Sequence, residues 1–123
     1  MLALRRETAA NVEVARDGQG AIDYLVKGKD VPQLVLLDLN LPKIDGLEVL
    51  RHIREDERTY LTPVVILTSS NAPNDVAASY RLGANSYVRK PIDYDQFAEA
   101  IHQLGMYWFE VNEPPPNVLD QHP

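Results

Sequence analysis

The chain has 123 residues, enough for one domain, and its 45% hydrophobic and 24% charged residues are the balance of an ordinary globular protein. A net charge of -6 without a basic stripe argues against a general nucleic-acid binder, and the absence of cysteine removes disulfide frameworks and thiolate metal sites. No window reaches the ~18 apolar residues of a membrane span, and the opening MLALRRETAA meets two arginines and a glutamate too early for a signal peptide, so a cytoplasmic location is expected.

NVEVA (11–15) alternates apolar and polar residues and predicts a short strand, ended by Asp17-Gly18. AIDYLVKG sets Ala21, Ile22, Leu25 and Val26 on one helical face, with Gly28 closing the helix. LVLLD (34–38) is apolar up to its acid, the mark of a strand covered on both faces in a parallel sheet. Leu47, Leu50 and Ile53 follow at helical spacing. Pro63 opens VVILT (64–68), a second apolar strand rich in β-branched residues. Val76, Ala77 and Tyr80 predict a third helix ended near Gly83, and SYV (86–88) a brief strand before Arg89-Lys90-Pro91. Phe97, Ile101, Leu104 and Trp108 recur with the helical period and predict a longer last helix. NEPPPNVLDQHP is a proline-rich tail, and no internal repeat is present.

This alternation of strand and helix predicts right-handed βαβ crossovers and a doubly wound parallel α/β sheet. In such sheets functional groups gather at the carboxyl ends of the strands. Asp38, Thr68 and Lys90 each stand at or just past such an end, so three polar groups from three strands are expected in one crevice. A carboxylate can attack phosphorus to give an acyl phosphate. A lysine holds the charge of the moving group as a point cation, and a hydroxyl holds it by donating a hydrogen bond. A hard divalent cation, usually magnesium, commonly bridges carboxylate and phosphoryl oxygens. Taken singly, each residue has a plainer reading: Asp38 as a helix cap, Thr68 as a loop hydroxyl, Lys90 as a surface cation, Pro91 as a loop breaker. Their joint placement after successive strands is what points to chemistry.

LVLLDLNLPKIDGLEVL, PVVILTSS and GANSYVRKP together resemble the receiver domains of two-component response regulators, from near residue 10 to residue 104. The resemblance implies a flavodoxin-like sheet of order 2-1-3-4-5. It implies that Asp38 is the phosphoacceptor, that the backbone carbonyl of Asn40 joins Asp38 as a magnesium ligand, and that Pro42 and Gly46 shape the loop between. Thr68 becomes the switch hydroxyl, Tyr87 the aromatic that moves inward with it, and Lys90 the phosphoryl partner, with a cis Lys90–Pro91 peptide. The function implied is phosphoryl acceptance on Asp38 from a sensor histidine kinase, with output by protein contact or phosphorelay and no enzymatic turnover. YDQFAEAIHQLGMYWFEV with the proline-rich tail is similar to single-domain regulators that partner bacterial phytochrome-type kinases. The receiver then spans 1–105 and an aromatic, proline-rich extension 106–123, with neither DNA nor membrane as partner.

The family's first strand, which ends in a pair of metal-binding acids, has no counterpart in the stretch before Asp38. LALRRE reads as the middle of a helix, with no capping residue ahead of it and no strand. Asp17 is a single acid in a turn, and Glu55-Asp56-Glu57 reads as a solvated helix end, so neither replaces the pair. A vacant central position leaves two apolar edges open to pairing with another chain. A start inside a longer ancestor accounts for the gap; so does a strand supplied from elsewhere or a sheet that has closed up. Magnesium binding is expected to be weak with Asp38 nearly alone.

Two other functions compete. One is a receiver-like interaction module that works without phosphate. The other is a phosphatase with an aspartate nucleophile, but such enzymes resemble D-x-D, and in DLN the residue Asn40 cannot act as the second acid. His52, His102 and His122 show no metal-ligand spacing. Tyr107, Trp108 and Phe109 cannot all face one core: either Trp108 packs inward with the others along a groove, or the cluster makes a homodimer contact through the C-terminal half.

Overall fold

A computed structural model of the chain describes residues 2–4, 12–27 and 31–115. In chain order the elements are β1 (Leu2–Leu4), β2 (Val12–Val14), α1 (Gly18–Lys27), β3 (Leu34–Leu37) and α2 (Gly46–Glu55). Then come β4 (Val64–Thr68), α3 (Pro73–Arg81), β5 (Ser86–Arg89) and α4 (Tyr94–Met106), which runs into a π-helical turn over Tyr107–Val111. Gly28, the expected end of α1, and the tail from residue 116 lie outside the described residues. Among those described, no helix is long and apolar enough to cross a membrane.

One sheet has the order β2-β1-β3-β4-β5. Pairs β3–β4 and β4–β5 are parallel, whereas β1 is antiparallel to both β2 and β3. The expectation of a vacant place between the strands at 11–15 and 34–38 and of a helix across LALRRE is therefore corrected for Leu2–Leu4: these residues are a strand, and it lies between β2 and β3. The rest of LALRRE, residues 5–7, lies outside the described residues. Tertiary pairing overrides the helical preference of leucine and alanine, because the facing edges of β2 and β3 offer unpaired backbone groups. The reversed direction follows from chain length. Residues 5–11 separate β1 from β2, and a parallel neighbour would need a crossover of roughly a dozen residues or more.

Alternating residues of the two central strands serve opposite faces, as the period of a strand requires. Val35, Leu37, Val64 and Ile66 pack with Ala21, Ile22 and Leu25 of α1 and Val49, Leu50 and Ile53 of α2. Leu34, Leu36, Val65 and Leu67 form the other core, against which Phe97, Ile101, Leu104, Trp108 and Phe109 pack. The continuous apolar runs of β3 and β4 are thus buried on both sides. In α3 the fully buried residue is Ser79, and Tyr80 is half exposed.

Caps fix the helix ends. Asp45 accepts from the Glu48 N–H at 3.0 Å to start α2, and Asp93 accepts from the N–H groups of Asp95 and Gln96 to start α4. Gly83, at φ 99°, turns the chain out of α3 in the left-handed region that favours glycine.

Candidate functional site

Because β3, β4 and β5 run side by side in the same direction, their carboxyl ends lie together, and the residues just there come from three separate stretches of sequence. Asp38 follows β3, Thr68 closes β4 and Lys90 follows β5. The Lys90 ammonium lies 3.3 Å from Asp38 Oδ2. Asp38 Oδ1 accepts from the Asn40 N–H at 3.0 Å, an Asx-type turn that also directs the chain away from the sheet. Thr68 is fully buried and its hydroxyl faces the same carboxyl.

Burial pushes the Asp38 carboxyl up, but it is outweighed. The Asn40 N–H, the Lys90 ammonium and, with the smallest effect, the Thr68 hydroxyl hold it below the usual range. Asp38 is therefore ionised at neutral pH and a competent nucleophile. Lys90 has a second neighbour, the Phe97 ring, whose centroid is 5.6 Å from the ammonium.

The loop after Asp38 is held closely. Gly46 N–H donates to Leu39 O at 3.0 Å, and a side chain at Gly46 would overlap the Asp38 carbonyl. Pro42 O accepts from both Gly18 and Ile44 N–H groups. Lys43, at φ 69°, pairs with Asp17 at 3.3 Å, so the turn after β2 is tied to the acceptor loop. Tyr87 is partly buried against the first core, and its hydroxyl donates to Ser70 O at 2.8 Å.

One expectation fails: no cis peptide occurs among the described residues, so Lys90–Pro91 is trans. Trans is the lower-energy form of an X-Pro bond by about 0.5–1 kcal/mol. In it Lys90 still donates its N–H to Thr68 O while its ammonium reaches Asp38. Three features were missed in the sequence: the Asn40 N–H on Asp38, the Phe97 ring beside Lys90, and the hydrogen bonds centred on Ser70. D-x-N carried a signal for the first; the other two depend on how the turns between β5 and α4 and between β4 and α3 fold back, which no local pattern announces.

Among the described residues no group of three or more His, Cys, Asp or Glu side chains is placed to hold a metal ion. Asp17 is engaged by Lys43, and Glu55 and Glu57 are exposed, at and just past the end of α2. Asp38 supplies one carboxylate, and Lys90 already neutralises one of its oxygens. This donor set does not fit a tightly held resident dication.

The family model described as the response regulator receiver domain matches residues 1–102. A probable methanogenesis regulatory protein, FilR2 of Methanothrix harundinacea, is 40% identical over 108 residues, covering 85% of this chain and 70% of that protein. Response regulator Rcp1 of Synechocystis is 37% identical over 102 residues, covering 79% of this chain and 69% of its own. The crystal structure of the Mn(2+)-bound form of Rcp1 superposes with a TM-score of 0.77 at 36% identity over 84% of this chain and 78% of that one. The phosphorylated cyanobacterial phytochrome response regulator RcpA superposes with a TM-score of 0.84 at 34% identity, over 90% of this chain and 83% of that one.

Proposed function

The chain belongs to the response regulator receiver domain family, whose work is phosphorylation-based signalling, and on that premise we propose that Asp38 is its phosphoacceptor. The observation that carries this is the meeting of the Asp38 carboxylate, the Lys90 ammonium and the buried Thr68 hydroxyl at the ends of three neighbouring strands. An oxygen of Asp38 attacks the phosphorus of a phosphohistidine. The new P–O bond forms as the P–N bond breaks; the electron pair stays on that nitrogen, and the imidazole, protonated on its other ring nitrogen, leaves neutral. Lys90 turns from the carboxylate to the phosphoryl oxygens, and the Thr68 hydroxyl donates a hydrogen bond to one of them. Position and field supply the catalysis, so the domain accepts one group rather than turning over substrate.

A divalent cation of the kind seen in Rcp1 would sit on Asp38 and the Asn40 carbonyl and add charge neutralisation. The donor group of the reading is a sensor histidine kinase of the phytochrome type, in keeping with the likeness to RcpA. A cytoplasmic location and an output by protein contact or phosphorelay, without DNA, complete it. Pro42, Gly46 and Pro91 shape the site, and Thr68 with Tyr87 forms the switch. Residues 1–105 form the receiver and 106–123 an extension through which two copies pair. The phosphate-independent module is the less favoured reading, because the phosphoryl-holding groups converge and RcpA is a phosphorylated relative.

Acetyl phosphate with magnesium tests the acceptor. Intact-mass measurement should show one added phosphoryl group on the parent and none on Asp38→Asn. An unmodified parent would remove the proposal.

A further inference from the structure

Ser70, just past β4, has every polar atom in use. Its N–H faces Thr68 Oγ1 at 3.5 Å, and its carbonyl accepts from the Tyr87 hydroxyl at 2.8 Å. Its own hydroxyl donates to Asp75 Oδ2 at 2.5 Å and accepts from the Ala72 N–H at 3.3 Å. Thr68 in turn faces Asp38. A set of contacts therefore runs from the Thr68 hydroxyl, at the carboxyl end of β4, to Tyr87 on β5 and to Asp75 in the first turn of α3.

The links differ in strength. The Thr68 contact is at the limit of hydrogen bonding, whereas the Asp75 contact is short and charge-assisted. Ala72, at the N-cap of α3, has no polar side chain to cap that turn, and the Ser70–Asp75 bond ties loop to helix. The Asp75 bond holds Ser70 independently of the Thr68 contact, and with it the carbonyl on which Tyr87 rests.

We propose that Asp75 is a positioning residue for the switch: by holding the Ser70 hydroxyl it fixes the carbonyl that receives Tyr87, and so favours the inward position of that ring. This deepens the reading of Asp38 as acceptor and rests on it for its signalling role. The structure places the Tyr87 hydroxyl on the Ser70 carbonyl, and a group that steadies that carbonyl favours this position over any other.

Fluorotyrosine labelling reads the ring directly, with the Tyr87 resonance assigned by Tyr87→Phe. In protein without phosphodonor, Asp75→Ala should lower the ratio of inward to outward Tyr87 signal by about fivefold, the effect of losing one good hydrogen bond. Asp75→Asn, which keeps an acceptor for Ser70, should restore the parent spectrum; a loss of packing alone would not be rescued in this way. Ser70→Ala should match Asp75→Ala, and the double variant should go no further, as expected of two members of one contact. An unchanged Tyr87 resonance in Asp75→Ala, or additive effects of the two substitutions, would overturn the assignment. A parent chain that takes up no phosphoryl group from acetyl phosphate by intact mass removes the acceptor reading, while the donor-free spectra still decide the role of Asp75.

Discussion

Opposed forces act on the single carboxyl of Asp38. Burial raises its pKa, and the Asn40 N–H and Lys90 ammonium lower it by more. Its native pKa is depressed, so the stability it contributes is complete above the unfolded value of about 3.9 and is lost as pH falls through the lower native value. Removing Lys90 leaves burial less opposed, so Lys90→Met should raise the Asp38 pKa. Carboxyl-carbon NMR titration of parent and variant would show it, and a fall or no change would contradict the pairing. The Phe97 ring acts on the same ammonium. Phe97→Leu keeps an apolar side chain against the second core but loses the ring face, worth ~0.5–1 kcal/mol at a partly exposed site. Uptake of phosphate from acetyl phosphate should slow roughly twofold to fivefold, and Phe97→Tyr should not slow it; equal rates for the leucine and tyrosine variants would dismiss the contact. Metal binding follows from the same local count of charges. With one carboxylate already paired, magnesium or manganese alone should bind no tighter than about millimolar by calorimetry.

At the scale of elements, Arg54 shows how loops are held without a core. Its guanidinium, on α2, donates to Gly83 O twice, to Thr62 O at 2.8 Å, to Tyr60 O at 3.2 Å and to Asn85 Oδ1 at 2.9 Å. It thereby joins the ends of α2 and α3 to the starts of β4 and β5, and burial pushes its pKa down without a carboxylate to oppose the shift. Arg54→Met leaves several part-buried acceptors unmet and should cost about 2–3 kcal/mol of unfolding free energy in urea. Arg54→Lys should recover little of it, since a point cation cannot fork to both loops; near-complete recovery would show that charge, not geometry, matters. The sequence gives no hint of this clasp, because most of its partners are backbone carbonyls, which any residue supplies, and Gly83 and Asn85 lie far along the chain. By contrast β3, β4 and the Asp38–Thr68–Lys90 grouping were legible, since unbroken apolar runs and strand-end polar residues are local signals. β1 was not: Leu-Ala-Leu carries no strand signature, and the open edges of its neighbours make it a strand.

Across the whole molecule, exposed apolar surface is unevenly spread. Ile92, Tyr94, Met106, Tyr107 and Val111 all belong to the segment from the end of β5 through the π-helical turn. In the same turn Trp108 and Phe109 pack against the second core, and Tyr107 stands edge-on to Trp108 at 5.0 Å between ring centroids. The aromatic cluster thus divides, with two rings serving the core and one left on the surface. Burying a large apolar side chain is worth about 1.5–3 kcal/mol, so a symmetric pairing of two such surfaces has a driving force, and any two copies contribute it twice. Of the exposed residues, Tyr94 and Met106 lie on α4, and Tyr107 and Val111 on the π-helical turn that continues it. Tyr107→Glu with Val111→Asp changes exposed positions and spares Trp108 and Phe109. Sedimentation equilibrium should find the parent at twice the chain mass and this variant at the chain mass, with the same far-ultraviolet spectrum. A parent that stays at the chain mass, or a variant that still pairs, would move the contact away from the C-terminal half.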